Sequence, residues 1–190
     1  MKKVFFKMLS VLLVFSLVFG SFAESAAYSK DIFDPPLRVG VISDPHTFPA
    51  SFVNNDSEIY LHEAYCDSKL MGEATPILQA ALETIAIRKD KGLYQMEYLI
   101  LPGDLTSEGE KLAHIENAAL FEAFEAQTGI QVFVINGNHD VNNNKASNYN
   151  GPGGQRITAK EDPELLLTTP EDFKQIYADF GYHQADRIFT

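Results

Sequence analysis

The chain has 190 residues, 45% of them apolar and 22% charged, which suits one globular domain plus a processed segment. Acids outnumber bases by 26 to 15, a formal net charge of −11. This balance excludes the basic footprint that a nucleic-acid or anionic-membrane surface requires, so an anionic substrate would need its positive charge from bound metal or a local base.

Lys2, Lys3 and Lys7 precede an apolar run at 8–20, and Ser21 and Ala23 occupy positions −3 and −1 of a cleavage site. Basic, apolar and small-residue regions in that order read as a secretory signal peptide, cut after Ala23 or as late as Ala27. A retained membrane anchor is the rival reading, but the apolar run falls short of the roughly 20 residues that a span needs. Cleavage after Ala23 leaves 12 basic and 26 acidic residues, a net charge of −14. The expected product is exported, with no stable membrane span. Cys66 is the single cysteine, which rules out an internal disulfide and a Cys-x-x-Cys metal site and is expected to be buried or half-buried.

A linker at 24–36 leads into LRVGVIS (37–43), which reads as a buried strand ending at Asp44-Pro45-His46. Residues 47–73 show no clean period. TPILQAALETIAIRKD follows with Ile77, Leu78, Ala81, Leu82, Ile85 and Ala86 at helical spacing, Thr75 as the expected N-cap and Pro76 at the first helical position. EYLILP (97–102) is a second strand and ends at Gly103-Asp104. The next helix carries Leu112, Ile115, Leu120 and Phe124 on its core face and stops at Gly129. IQVFVIN (130–136) is the third strand. NNNKASNYNGPGGQ (142–155) reads as a surface loop, and a last helix is expected from Thr169-Pro170 to Gly181. Strand, helix, strand, helix, strand, with near-continuous apolar strands, predicts an α/β fold whose sheet is buried on both faces.

Each apolar strand stops at a polar cluster: Asp44-x-His46, Gly103-Asp104, and Gly137-Asn138-His139-Asp140. Strand C-termini of an open α/β sheet line one edge, so neighbouring strands would bring these clusters together. Carboxylate, imidazole and amide oxygen without thiolate suit a borderline divalent metal such as Mn, Fe, Zn or Ni. Taken singly, each cluster reads as turn chemistry. The ordered set, each member directly after a buried-type strand, points to a site.

The series SDPH, PGDLT and NGNHD resembles the first three blocks of the calcineurin-like metallophosphoesterases, and GDLTSEGEKLAH and FVINGNHDVN resemble their exported bacterial members. The resemblance covers 37–190. It implies a layered αββα sandwich that holds two divalent metal ions and hydrolyses phosphate esters. It places Asp44 and His46 on the first metal, Asp104 as a bridge between both, and Asn138 on the second. His139 would sit over the phosphate, and Asp140 would orient His139 and raise its basicity. Two such cations, roughly 3.5–4 Å apart, clamp the phosphoryl oxygens in many phosphatases.

The family pattern continues with a histidine on a later strand and a Gly-His-x-His block, neither of which occurs in these 190 residues. The first metal keeps three expected donors and lacks a histidine, while the second keeps Asp104 and Asn138. The chain is therefore expected to be the N-terminal portion of a phosphoesterase domain, with little or no activity by itself. His183 is read as a surface residue, and His62 and His114 as solvated or capping. A non-catalytic exported binding domain on the same fold is the alternative, and a nucleotidase-like member is a third reading.

Overall fold

A computed structural model describes residues 37–66, 70–93 and 95–183 of the chain. The expected signal segment and linker lie outside the described residues, as does the C-terminal stretch after His183. Three strands, β1 (Val39–Val41), β2 (Tyr98–Leu101) and β3 (Gln131–Val134), form a parallel sheet in the order β1-β2-β3. The register places Val41 beside Ile100 and Leu101 beside Val134. This is the α/β arrangement with parallel strands and helical crossovers that the alternation predicts.

Three longer helices are α1 (Glu58–Cys66), α2 (Ala74–Asp90) and α3 (Lys111–Thr128). The crossover α2 joins β1 to β2, and α3 joins β2 to β3. Leu99, Leu101, Val132 and Val134 point to the helical side and pack with Leu78 and Leu82 of α2 and Phe121 and Phe124 of α3. The opposite face differs from expectation: Val41 is 62% exposed and Ile135 56% exposed, so among the described residues this face is covered only in part, at Phe133, where the turn carrying Gly181 packs against it. Helix α3 ends as expected. Gly129 takes a left-handed conformation (φ 66°) that an L side chain resists, and its N–H reaches Glu125.

Several local expectations change. Helix α2 starts at Ala74, and Thr75 is not its cap. The Thr75 hydroxyl instead donates to the Phe48 carbonyl (2.8 Å) and accepts the Phe48 N–H (3.1 Å), tying the helix to the loop after β1. The core stripe of α3 is rotated from the expected one: Ala113, His114, Asn117, Phe121 and Phe124 are buried, while Ile115 is exposed. Residues 47–73 hold a 3₁₀ turn (Ala50–Phe52) and α1 rather than irregular chain. The 142–155 segment is not a surface loop throughout. Ala146, Ser147, Asn148 and Tyr149 are buried, and β4 (Ser147–Asn148) pairs antiparallel with β5 (Ile157–Thr158). Together these two segments build a second apolar cluster around Phe48, Phe52, Tyr60, Met71 and Tyr149. Tertiary burial of aromatic residues here overrides the local signal of Asn and Gly.

Two helices close the described chain: the short α4 (Pro163–Leu166) and α5 (Pro170–Ile176). Thr169 and Asp172 form a reciprocal capping box at the expected start of α5, which ends at Ile176 rather than Gly181. Lys111 also ion-pairs with Asp172 at 2.9 Å. A wider π-helical turn (Ala178–Tyr182) follows, with Gly181 at φ 111°.

Candidate metal centre at the strand ends

Parallel pairing does not stop where the strands do. Ile42 N–H bonds the Ile100 carbonyl (3.0 Å), His46 N–H bonds Asp104 (3.1 Å), and Thr47 N–H bonds Leu105 (2.9 Å). The loop after β1 is thereby zipped to the loop after β2, with Asp44 and His46 set beside Asp104. Ligand atoms of Asp44, His46 and Asp104 all lie within 4.8 Å of one another. Sixty residues of sequence separate the first pair of these clusters, and the sheet register removes that distance.

The backbone at this point is strained. Asp44 (φ 53°), His46 (φ 45°) and Asp104 (φ 49°) all occupy the left-handed region, and among the described residues only Leu70 and Asn142 otherwise do so without being glycine. Such conformations cost roughly 1–3 kcal/mol each and persist where surrounding structure over-determines them. Their coincidence on three metal-type side chains separates this site from ordinary turn chemistry.

Hydrogen bonds orient the donors. His46 Nδ1 sits 3.2 Å from the Thr106 carbonyl, which can only accept, so Nδ1 carries the proton and Nε2 keeps its lone pair for a cation. Asp104 Oδ1 accepts the His139 N–H at 2.9 Å. Gly137 lies against Asp104, and any Cβ there would collide with its carboxylate and amide. Asn138, exposed on the turn after β3, is bracketed by Gly137 and His139, both of which touch Asp104. The Asn138 backbone therefore runs beside Asp104. An open groove of about 330 Å³ runs from Asp44 and His46 along Ile42, Leu70, Ile77 and Leu78.

The His139 ring stands edge-on to that of His46, with centroids 5.2 Å apart. Its Nδ1 lies 3.1 Å from Glu108 Oε2, and Glu108 also accepts from Asn143 Nδ2 at 2.7 Å. This changes the expected pairing of His139 with Asp140. The Asp140 carboxylate is fully buried and turned into the protein, where Oδ1 accepts from Thr106 N–H (3.0 Å) and Oδ2 from Gly137 N–H (2.7 Å). Asp140 thus ties the turn after β3 to the loop after β2, and Glu108 is the carboxylate on the His139 ring. In the sequence Glu108 is four residues past Asp104 in the same loop, which is the one signal that marks it.

The other histidines separate clearly. His183 is exposed and pairs with Asp179 at 3.0 Å, as a surface residue should. His62 is exposed as well, 3.9 Å from the sulfur of Cys66. Cys66 itself is exposed rather than buried, because it faces outward on the last turn of α1. His114, expected to be solvated or capping, is fully buried beneath the site. Burial lowers its pKa, against a smaller opposing pull from Asp140, so the ring is held neutral.

Two carboxylates and an imidazole whose ligand atoms converge within 4.8 Å form a fitting donor set for a hard or borderline divalent ion. The family model of the calcineurin-like phosphoesterases matches residues 37–184. No curated protein matches the chain. Because the matched region covers most of its length, the chain belongs to the calcineurin-like phosphoesterase family.

Proposed function

We propose that the strand-end cluster performs metal-dependent hydrolysis of phosphate mono- or diesters. The observation that carries this reading is the convergence of Asp44, His46 and Asp104 within 4.8 Å, on strained backbone, in a chain of this family. Asp44 and His46 would hold one divalent ion, Asp104 would reach it and a second, and Asn138 would add an amide oxygen to the second. Bound, the ions would supply positive charge toward the phosphoryl oxygens and make a nearby water more acidic. The identity of the pair is drawn from Mn, Fe, Zn and Ni.

The protein's own groups handle orientation and protons. Glu108 holds Nδ1 of His139, so a proton passed to the leaving oxygen is the one on Nε2. Asp140 keeps the turn carrying Asn138 and His139 fixed against the loop carrying Asp104. Residues 1–23 would act as a cleaved signal for export, which mass determination of the mature N-terminus tests.

Protein expressed from its complete reading frame, supplied with Mn²⁺ and chromogenic phosphate mono- and diesters, tests the activity. Turnover that Asp104→Asn abolishes supports hydrolysis. Saturable metal binding without turnover of either ester class supports the non-catalytic binding domain instead.

A further inference from the structure

Helix α3 is expected to bury an apolar stripe, yet two polar side chains lie in its centre. His114 and Asn117, one turn apart, are 0% and 1% exposed. Burying polar groups without hydrogen bonds costs on the order of 1–3 kcal/mol each, so their partners are informative. Asn117 Nδ2 donates to Thr47 Oγ1 at 2.8 Å and approaches the Leu105 carbonyl at 3.3 Å. Thr47 Oγ1 donates in turn to that same Leu105 carbonyl at 2.9 Å. The His114 ring lies 3.0 Å from the Asp140 backbone carbonyl through Nε2 and 3.0 Å from the Tyr177 hydroxyl through Nδ1. A carbonyl only accepts, so Nε2 carries the proton and Nδ1 accepts from Tyr177.

Each of the three anchors in the strand-end loops is the next residue after a group of the site. Thr47 follows His46, Leu105 follows Asp104, and Asp140 follows His139. Two side chains on one helix therefore grip all three loops at once. Chance burial of polar residues would not place contacts to all three loops one position beyond a donor or proton carrier.

We propose that His114 and Asn117 of α3, with Tyr177 behind His114, are positioning residues that hold the three strand-end loops at the spacing a divalent cation requires. The inference rests on the metal-site reading above. It assigns to a crossover helix a task distinct from closing the core: α3 sets the separation of ligands that arise from three different strands. Tyr177 fixes the His114 tautomer, since its hydroxyl is buried and held protonated well above the ordinary tyrosine range.

The test measures Mn²⁺ affinity by calorimetry, alongside melting temperature, for protein expressed from its complete reading frame. Asn117→Leu and His114→Leu are expected to weaken Mn²⁺ binding by roughly 10- to 100-fold, the usual size for residues that orient ligands from behind. His114→Gln, which keeps an N–H near the Nε2 position, should recover most of that affinity. Leu82→Ala is the control: it opens the core between α2 and α3 away from the loops, and should lower the melting temperature while leaving Mn²⁺ affinity unchanged. Should the leucine variants fail to fold, Tyr177→Phe removes one oxygen and no volume, and it should still weaken binding measurably. Folded variants that bind Mn²⁺ within twofold of the wild type would overturn the proposal alone. A wild-type protein that binds no Mn²⁺ would overturn the metal-site reading together with it.

Discussion

Glu108 Oε2 lies 3.1 Å from Nδ1 of His139, and this contact joins the loop after β2 to the turn after β3. Both side chains are about three-quarters buried, so the pair is shielded in part from solvent. Glu108→Gln is expected to lower kcat by roughly 10- to 100-fold, because an amide does not fix the orientation and tautomer of the ring as firmly. His139→Ala should cost more, on the order of 10²- to 10⁴-fold. Steady-state kinetics read alongside Mn²⁺ titration separate the roles: neither variant should change metal affinity by more than a few-fold.

Gly137 gives a steric prediction. A methyl group there would strike the Asp104 carboxylate and amide, and Gly103 approaches from the other side, where its own Cβ would come within 2.6 Å of the Gly137 nitrogen. Gly137→Ala should therefore push the turn off the cluster. The expected result is a loss of stability of about 1–3 kcal/mol, the usual size for overpacking. Metal affinity should fall by at least tenfold, as is common when ligand support is disturbed. Urea unfolding and calorimetry measure both.

Glu110 gives a pH prediction. It is 1% exposed, accepts the Glu108 N–H through Oε2 at 2.9 Å, and burial pushes its carboxyl up from 4.5 to about 7. The folded protein then binds this proton more tightly than the unfolded chain. Its contribution is fully present below about pH 4.5, declines as pH rises toward 7, and levels off beyond. Glu110→Gln keeps an acceptor for Glu108 and removes the titration. Melting curves from pH 4.5 to 8 should show wild type losing on the order of 2–3 kcal/mol relative to the variant. Parallel curves for the two proteins would contradict this origin of the raised value.

The alternation of strands and helical crossovers, and the meeting of the polar clusters once the strands are neighbours, were legible because both follow from the apolar-strand pattern. His46 and Asp104 could be paired before any geometry was known, since adjacent parallel strands bring their C-termini together. Glu108 was not legible as the partner of His139. Asp140 is adjacent in sequence, but adjacent residues on a tight turn point in different directions, and Asp140 turns inward to Thr106 and Gly137. His114 was misjudged for a related reason. Period alone ranked Leu112 and Ile115 above it, whereas the loops packed on α3 offer hydrogen-bond partners that draw the polar side chains inward. The buried Tyr149 shows the same limit: Asn- and Gly-rich composition describes local turn preference, not what an aromatic ring finds to pack against. Cys66 stayed outside because nothing in the described structure covers the last turn of α1.

The most direct test of the account is calorimetric titration of Mn²⁺ into the wild-type protein and into Asp44→Asn, His46→Ala and Asp104→Asn. The account predicts saturable binding by the wild type and at least tenfold weaker binding by each variant, with Asp104→Asn the most severe because the proposed site assigns that carboxylate to both ions. Equal affinity in all four proteins, or no binding by the wild type, would contradict it.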